Sequence, residues 1–176
     1  SKNPFIVMNG ALLQSDNYEN ELFGSENKDG SVSYGFLEKA SNGTLLIDEV
    51  SEIPLDTQAK ILRVLIDQKF KRINGTKDIN VNIRIISSTS KDLKSEVTIG
   101  NFREDLYHRI NVVPIEIPKL SSRPDDIPIL INYFQKKISE INGIPEIKLN
   151  VDEELLYSYD WPGNVRELRN LVERIS

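Results

Sequence analysis

The segment Thr44-Leu45-Leu46-Ile47-Asp48-Glu49 constrains the fold of this chain more than any other. An apolar run closed by two adjacent carboxylates reads as a buried strand of a parallel sheet. Such a strand delivers its two acids to the carboxyl edge of the sheet, where open α/β folds bind ligands. The chain has 176 residues, 39% of them hydrophobic and 28% charged. That is the make-up of a soluble globular domain, or of one domain and a small satellite. Its net charge of −5 comes without any block of like charge, so direct nucleic-acid binding by this segment is not indicated. Cys is absent and there is a single His, which excludes disulfides and thiol catalysis and disfavours zinc and His-based metal sites. No apolar run approaches the ~18 residues needed to span a bilayer, and no signal peptide opens the chain, so the expected location is cytoplasmic.

Periodicity supplies the surrounding elements. Phe5 to Met8 reads as a short buried strand, and Glu19 to Phe23 as a helix stopped by Gly24. Residues 25 to 34, with Gly30 and three Ser, read as a polar loop, and Gly35 to Ala40 as about one helical turn. Pro54 opens a helix whose apolar stripe is Leu55, Ala59, Leu62 and Ile66. Phe70 to Ile73 followed by Asn74-Gly75 suggests a hairpin. Val81 to Ser87 reads as a strand, and Val112-Val113-Pro114-Ile115 begins another. Beyond Pro124 only helices are expected. The first carries Ile127, Leu130, Ile131, Phe134, Ile138 and Ile141 and ends at Asn142-Gly143; the second runs from Asp152 to Tyr159; the third lies within Pro162 to Ile175. The predicted architecture is an α/β core over residues 1–123 with a helical appendage over 124–176.

A strand ending in Asp48-Glu49 also fits the Walker B pattern, in which one acid holds Mg²⁺, often through water, and the next polarises a water for attack on a γ-phosphate. Three long strings surround it in order. They are Gly35-Phe36-Leu37-Glu38-Lys39-Ala40-Ser41-Asn42-Gly43 leading into that strand, Phe102 through Val112, and Trp161 through Asn170. From about Pro4 to its end the chain resembles the AAA+ domain of bacterial sigma-54 activators, the NtrC-like response regulators. The resemblance implies a parallel-sheet ATPase core with a helical lid, ATP and Mg²⁺ as cofactors, and assembly into a homo-oligomer, either dimer or ring. It also implies roles. Asp48 holds Mg²⁺ through water and Glu49 activates the attacking water. Arg103 and Arg109, with Arg109 the better finger, reach a neighbour's γ-phosphate, although local salt bridges to Glu104 and Asp105 are the plainer reading of their spacing. Thr89 and Ser90 occupy sensor I, and Arg166 occupies sensor II on the lid. Asn9 is either a turn former or the switch asparagine that holds Glu49. Trp161 reads as a core anchor, and His108 has no assigned role.

Three departures from the family pattern shape the expectation. No Gly-x-x-x-x-Gly-Lys-Ser/Thr phosphate loop occurs in these residues, so the chain reads as a fragment that begins after it and binds ATP poorly alone. Residues 25–34 lack the aromatic-Thr tip with which the family touches sigma-54, which argues against RNA polymerase sigma-54 as a stable partner. A short, degenerate loop points to the NtrX branch, which is paired with a membrane sensor kinase. Ser90 stands where the family usually has Asn, which shortens its reach. The resulting expectation is the central ATPase and oligomerisation domain of a two-component transcription regulator. Its receiver and its DNA-binding domain would lie outside this chain. The alternative is a non-hydrolysing oligomerisation module of a DNA-binding response regulator that does not engage sigma-54.

Overall fold

The computed structural model describes residues 3–13, 17–143, 145 and 153–175. Backbone contacts divide the chain into two compact units, residues 1–114 and 115–176.

The first unit is built on a parallel sheet of three strands, β1 (Phe5–Asn9), β4 (Gly43–Asp48) and β7 (Ile83–Ser87), with β4 in the centre. The register sets Asn9 opposite Asp48, and Ile47 opposite Ser87. Met8, Leu45 and Ile47 point to one face and are buried. They pack with Leu22 and Phe23 of helix α1 (Tyr18–Phe23), Leu37 of α2 (Phe36–Lys39), Ile61 and Val64 of α3 (Leu55–Asp67), and Leu106 of α5 (Glu104–Ile110). Between them lie two antiparallel pairs, β2 (Ser25–Glu26) with β3 (Val32–Ser33) and β5 (Lys69–Lys71) with β6 (Asp78–Asn80), and the short helix α4 (Leu93–Thr98).

The sequence-based expectations fail at four places. The segment β1 is an edge strand, and Phe5 and Val7 on its second face are exposed. The polar loop 25–34 folds as a small hairpin, closed by Asn27 N–H donating to the Ser31 carbonyl at 2.9 Å. Helix α3 is rotated from its expected stripe. Thr57, Gln58, Ile61 and Val64 are buried, while Leu55 and Ile66 are exposed. The cause is Gln58, fully buried, whose Nε2 donates to the Ile53 carbonyl at 2.7 Å and the Asn101 carbonyl at 3.1 Å, and whose Oε1 accepts from Arg103 N–H at 2.8 Å. A side chain with both amide donors and its carbonyl oxygen engaged is retained in a core that its polarity alone would exclude it from. Finally, Val112 to Ile115 forms no strand, and Val112, Val113 and Ile115 are exposed. No described strand pairs with this stretch, and Pro114 removes a donor.

The hairpin 25–33 is fastened at its base. Arg72, beyond β5, donates from Nε and Nη2 to both oxygens of Glu38 at 3.0 and 2.7 Å and from Nη1 to Glu26 at 2.8 Å. Its guanidinium also lies 5.4 Å from the centre of the Tyr34 ring. Planar, bidentate pairing of this kind is what Arg provides and Lys cannot. Glu26 N–H donates to the Ile73 carbonyl, and Ile73 N–H to the Gly24 carbonyl, each at 2.9 Å.

The second unit is helical: α6 (Asp126–Asn142), α7 (Glu153–Ser158) and α8 (Asn164–Ile175). The expected second-helix start at Asp152 lies outside the described residues. Leu120, Ile127, Ile131, Phe134, Leu156, Trp161, Leu168 and Val172 form its core. Trp161 is the anchor its sequence context suggests, buried with its indole N–H donating to the Leu156 carbonyl at 2.9 Å. Gly143 ends α6 in the left-handed region, as the Asn142-Gly143 signal implies. Among the described residues no helix is long and apolar enough to cross a membrane.

Gln58→Leu fills the same space but strands three backbone groups. It is expected to destabilise the chain by about 2–3 kcal/mol, read as a lower urea midpoint with an unchanged slope.

Candidate functional site

Parallel pairing brings the carboxyl ends of β1, β4 and β7 to one edge, and the polar side chains gather there. Asp48, the last residue of β4, is gripped from both neighbouring strands. Asn9 Nδ2 donates to Oδ2 at 3.0 Å, and Ser88 Oγ donates to Oδ1 at 2.6 Å. Asn9 Oδ1 meanwhile accepts from Ala11 N–H at 2.9 Å and caps the 3-10 turn Gly10–Leu12. Asn9 is therefore both the turn former and a carboxylate partner, but its partner is Asp48 rather than the expected Glu49.

Glu49 is held instead by Ser90. The Ser90 N–H and its hydroxyl both donate to Glu49 Oε2 at 3.0 Å. Thr89 Oγ1 donates to Ser51 Oγ at 2.9 Å and accepts from Lys91 N–H at 3.1 Å, so it braces the turn after Glu49 without touching either carboxylate.

Two further residues shape this edge, and sequence reasoning missed both. A Cβ on Gly10 would lie 2.5 Å from the Glu49 carbonyl oxygen and 3.2 Å from that of Asp48. Only glycine lets the turn after β1 close onto the end of β4. Tyr18 is buried, and its hydroxyl meets the Gly10 carbonyl and, at 3.1 Å, the Glu52 carbonyl. Burial, and then the neighbouring Glu52, push the Tyr18 hydroxyl above its ordinary pKa. The Asn9-Gly10 pair signals a turn in sequence, but nothing local reveals its contact with residue 49. Ser88 carries no signal beyond its place after a strand.

The arginines lie apart from this cluster. Arg103 forms a two-bond pair with Asp105, Nε to Oδ1 at 3.0 Å and Nη2 to Oδ2 at 2.7 Å. This pair lowers the pKa of Asp105 and raises that of Arg103. Arg109 Nη2 donates to the Leu65 carbonyl in the last turn of α3 at 2.9 Å. Both side chains are exposed, Arg103 at the N-cap of α5 and Arg109 in its last turn. His108 is exposed and lies 3.8 Å from Glu104. Arg166 sits exposed in the first turn of α8, in the second unit, and its side chain makes no hydrogen bond or ion pair among the described residues.

The edge offers one carboxylate to a hard cation, Asp48, flanked by a hydroxyl and an amide. Among the described residues no group of three or more His, Cys, Asp or Glu side chains could hold a metal ion. That donor set fits Mg²⁺, which keeps several of its own waters and takes one or two carboxylates together with substrate phosphates.

Residues 1–116 match the family described as the Sigma-54 interaction domain, and residues 121–176 match the AAA+ ATPase lid domain. The chain belongs to the sigma-54 interaction domain family. Its relatives include the nitrogen assimilation regulatory protein NtrX of Azorhizobium caulinodans, 46% identical over 99% of this chain and 39% of that protein. The regulatory protein AtoC of Escherichia coli is 44% identical over 99% of this chain and 39% of its own length. This member of the sigma-54 interaction domain family thus spans about two fifths of those curated relatives. Among solved structures, NtrX from Brucella abortus in complex with ATP superimposes with a TM-score of 0.92 at 46% identity, covering 98% of this chain and 38% of that one. The closed state of Hsp104, at 18% identity and a TM-score of 0.67, shares the fold.

Gly10→Ala forces the 3-10 turn away from residue 49. It is expected to cost about 1–3 kcal/mol of stability, with Tyr18 fluorescence changed as its two carbonyl partners separate.

Proposed function

We propose that this chain is the nucleotide-hydrolysing and oligomerising core of an NtrX-like two-component transcription regulator. The observation that carries the reading is the separate support of Asp48 and Glu49 at one sheet edge, each by its own hydrogen-bond donors. Two adjacent acids with different partners are suited to different tasks. Asp48, between Asn9 and Ser88, is the fixed anion for an Mg²⁺-nucleotide. Mg²⁺ would supply charge neutralisation at the phosphates. Glu49 would orient and take a proton from the attacking water. The ATP complex of the Brucella relative supports nucleotide as the ligand class. The phosphate cradle itself is not among these residues, so activity belongs to the longer protein.

Arg103 and Arg109 serve, in this reading, a neighbouring subunit's nucleotide, and Arg166 contacts nucleotide from the lid. The full regulator would assemble as a homo-oligomer in the cytoplasm, bind DNA through another domain and answer a membrane sensor kinase through a receiver. A second reading is a non-hydrolysing oligomerisation module. It is favoured by one observation: both arginines are already bonded within their own subunit.

The two readings separate in the full-length protein. Glu49→Gln is expected to bind ATP with Mg²⁺ as the parent does while hydrolysis falls by at least about 10²-fold, the usual scale for losing a general base. Mixing that variant with Arg109→Ala, each inactive alone, should restore part of the turnover if the two groups serve one site from opposite subunits. Co-assembly without recovery would support the non-hydrolysing module.

The hairpin 25–33 offers Ser, Asn, Asp and Gly at its tip, with little apolar area to bury on a partner. Tyr34, the one aromatic within residues 25–34, has the Arg72 guanidinium over its ring. The full-length protein, trapped with a transition-state analogue of ATP, is therefore expected not to co-elute with purified sigma-54. Stoichiometric co-elution lost on deleting residues 25–34 would reverse this.

A further inference from the structure

The turn that opens α8 is bent twice against its preference. Trp161, at φ 48°, and Asn164, at φ 52°, both lie in the left-handed region, and neither is glycine. A bulky residue persists there only when its surroundings over-determine it. Here they do. The Trp161 carbonyl accepts from Asn164 N–H at 2.8 Å, and the buried indole is tied to the Leu156 carbonyl. From the helix side Glu167 folds back over the first turn. Its Oε2 accepts from Gly163 N–H at 2.8 Å, and its Oε1 accepts from the Tyr159 hydroxyl at 2.9 Å. A Cβ on Gly163 would lie 2.7 Å from the Glu167 Cβ, so only glycine leaves room for that fold-back. The Tyr159 ring packs edge-on against Trp161 with centroids 5.1 Å apart, so the core anchor of the lid also aims the phenol.

We propose that Tyr159 is a positioning residue for Arg166 and acts through Glu167: the phenol holds the carboxylate, and the carboxylate holds the turn from which Arg166 projects. The role rests on the reading of Arg166 as a nucleotide contact from the lid. Arg166 needs such help. Its side chain has no partner among the described residues, and the helix dipole disfavours a cation in the first turn. Nothing but the backbone therefore sets where the guanidinium starts. A long side chain amplifies any error at its root, and a displacement of about 1 Å is enough to spoil a productive contact. The same bonds have a second effect. With both Glu167 oxygens engaged, the carboxylate next to Arg166 in the chain is committed elsewhere, and the guanidinium keeps its charge unpaired for a phosphate-bearing ligand.

The test is equilibrium binding of ATP with Mg²⁺ to the full-length protein, as parent, Tyr159→Phe, Glu167→Ala, Arg166→Ala, and Tyr159→Phe combined with each of the other two. Tyr159→Phe removes one hydroxyl and keeps the ring against Trp161. It is expected to raise the Kd for ATP by about 3- to 10-fold, the scale of one net hydrogen bond. In the Arg166→Ala background the same change should add nothing, and likewise in the Glu167→Ala background, because a link downstream of the phenol is already gone. A merely structural role would weaken binding by the same factor in every background, and that result would overturn the proposal. So would a parental Kd in Tyr159→Phe beside a weakened Arg166→Ala. Should Glu167→Ala fail to fold, the combination with Arg166→Ala decides alone. A parent that binds no ATP, or an Arg166→Ala variant that binds it as the parent does, removes the lid contact itself and the proposal with it, a failure distinct from that of Tyr159.

Discussion

The register between β4 and its two neighbours is the constraint on which the rest depends. Side chains alternate along a strand, so a slip of one residue would exchange every buried side chain for an exposed one. Met8, Leu45 and Ile47 on the core face lock the pairing through their burial. The same lock places Asn9 beside Asp48, and Ser88 just past the end of β7. The polar cluster at the edge is thus fixed by apolar packing several residues away. Its members need no mutual attraction strong enough to assemble them, only enough to settle their rotamers.

Gln58 extends that order to the helices. Its carboxamide touches the carbonyl of Ile53, just past the turn that follows Glu49, and the N–H of Arg103, where α5 begins. One buried side chain therefore links the segment leaving the carboxylates to the segment carrying both finger candidates. A displacement at either end meets a hydrogen bond whose loss would leave a buried polar group unsatisfied, so the two segments are coupled by a short-range energetic requirement.

Much of this was legible in sequence, and the misses share a physical origin. The strand at residues 44–48, the caps at Gly24 and Gly143, and the buried Trp161 follow from local rules of periodicity and backbone conformation. The rotated face of α3 did not, because hydrophobic spacing cannot report that a glutamine finds hydrogen-bond partners for both its nitrogen and its oxygen inside a core. The contact of Asn9 with Asp48 is hidden from the sequence for a similar reason. Asp48 and Glu49 are adjacent in the chain, and only the strand register and the left-handed turn at Glu49 decide which of them faces β1. Val112 to Ile115 has the composition of a strand, but a strand exists only in company, and no neighbour among the described residues supplies its ladder. Ser88, Gly10 and Tyr18 act through contacts between segments far apart in sequence or through the closeness of a turn, neither of which a single sequence displays.

The hairpin at residues 25–33 is entered and left through two glycines in near contact. A Cβ on Gly24 would run into the backbone of Ser33 and Gly35, and one on Gly35 would run into Leu22 and Gly24. The chain leaves the core and returns to it at nearly the same point, and Arg72 clasps both sides just outside. Whatever lies between is a cassette: the ends are closed already, so lengthening it incurs only a slowly growing loop entropy and no repacking beneath. The domain can therefore exchange one tip for another of different length and chemistry while its sheet registers nothing, which leaves partner choice free to diverge faster than the machinery below it.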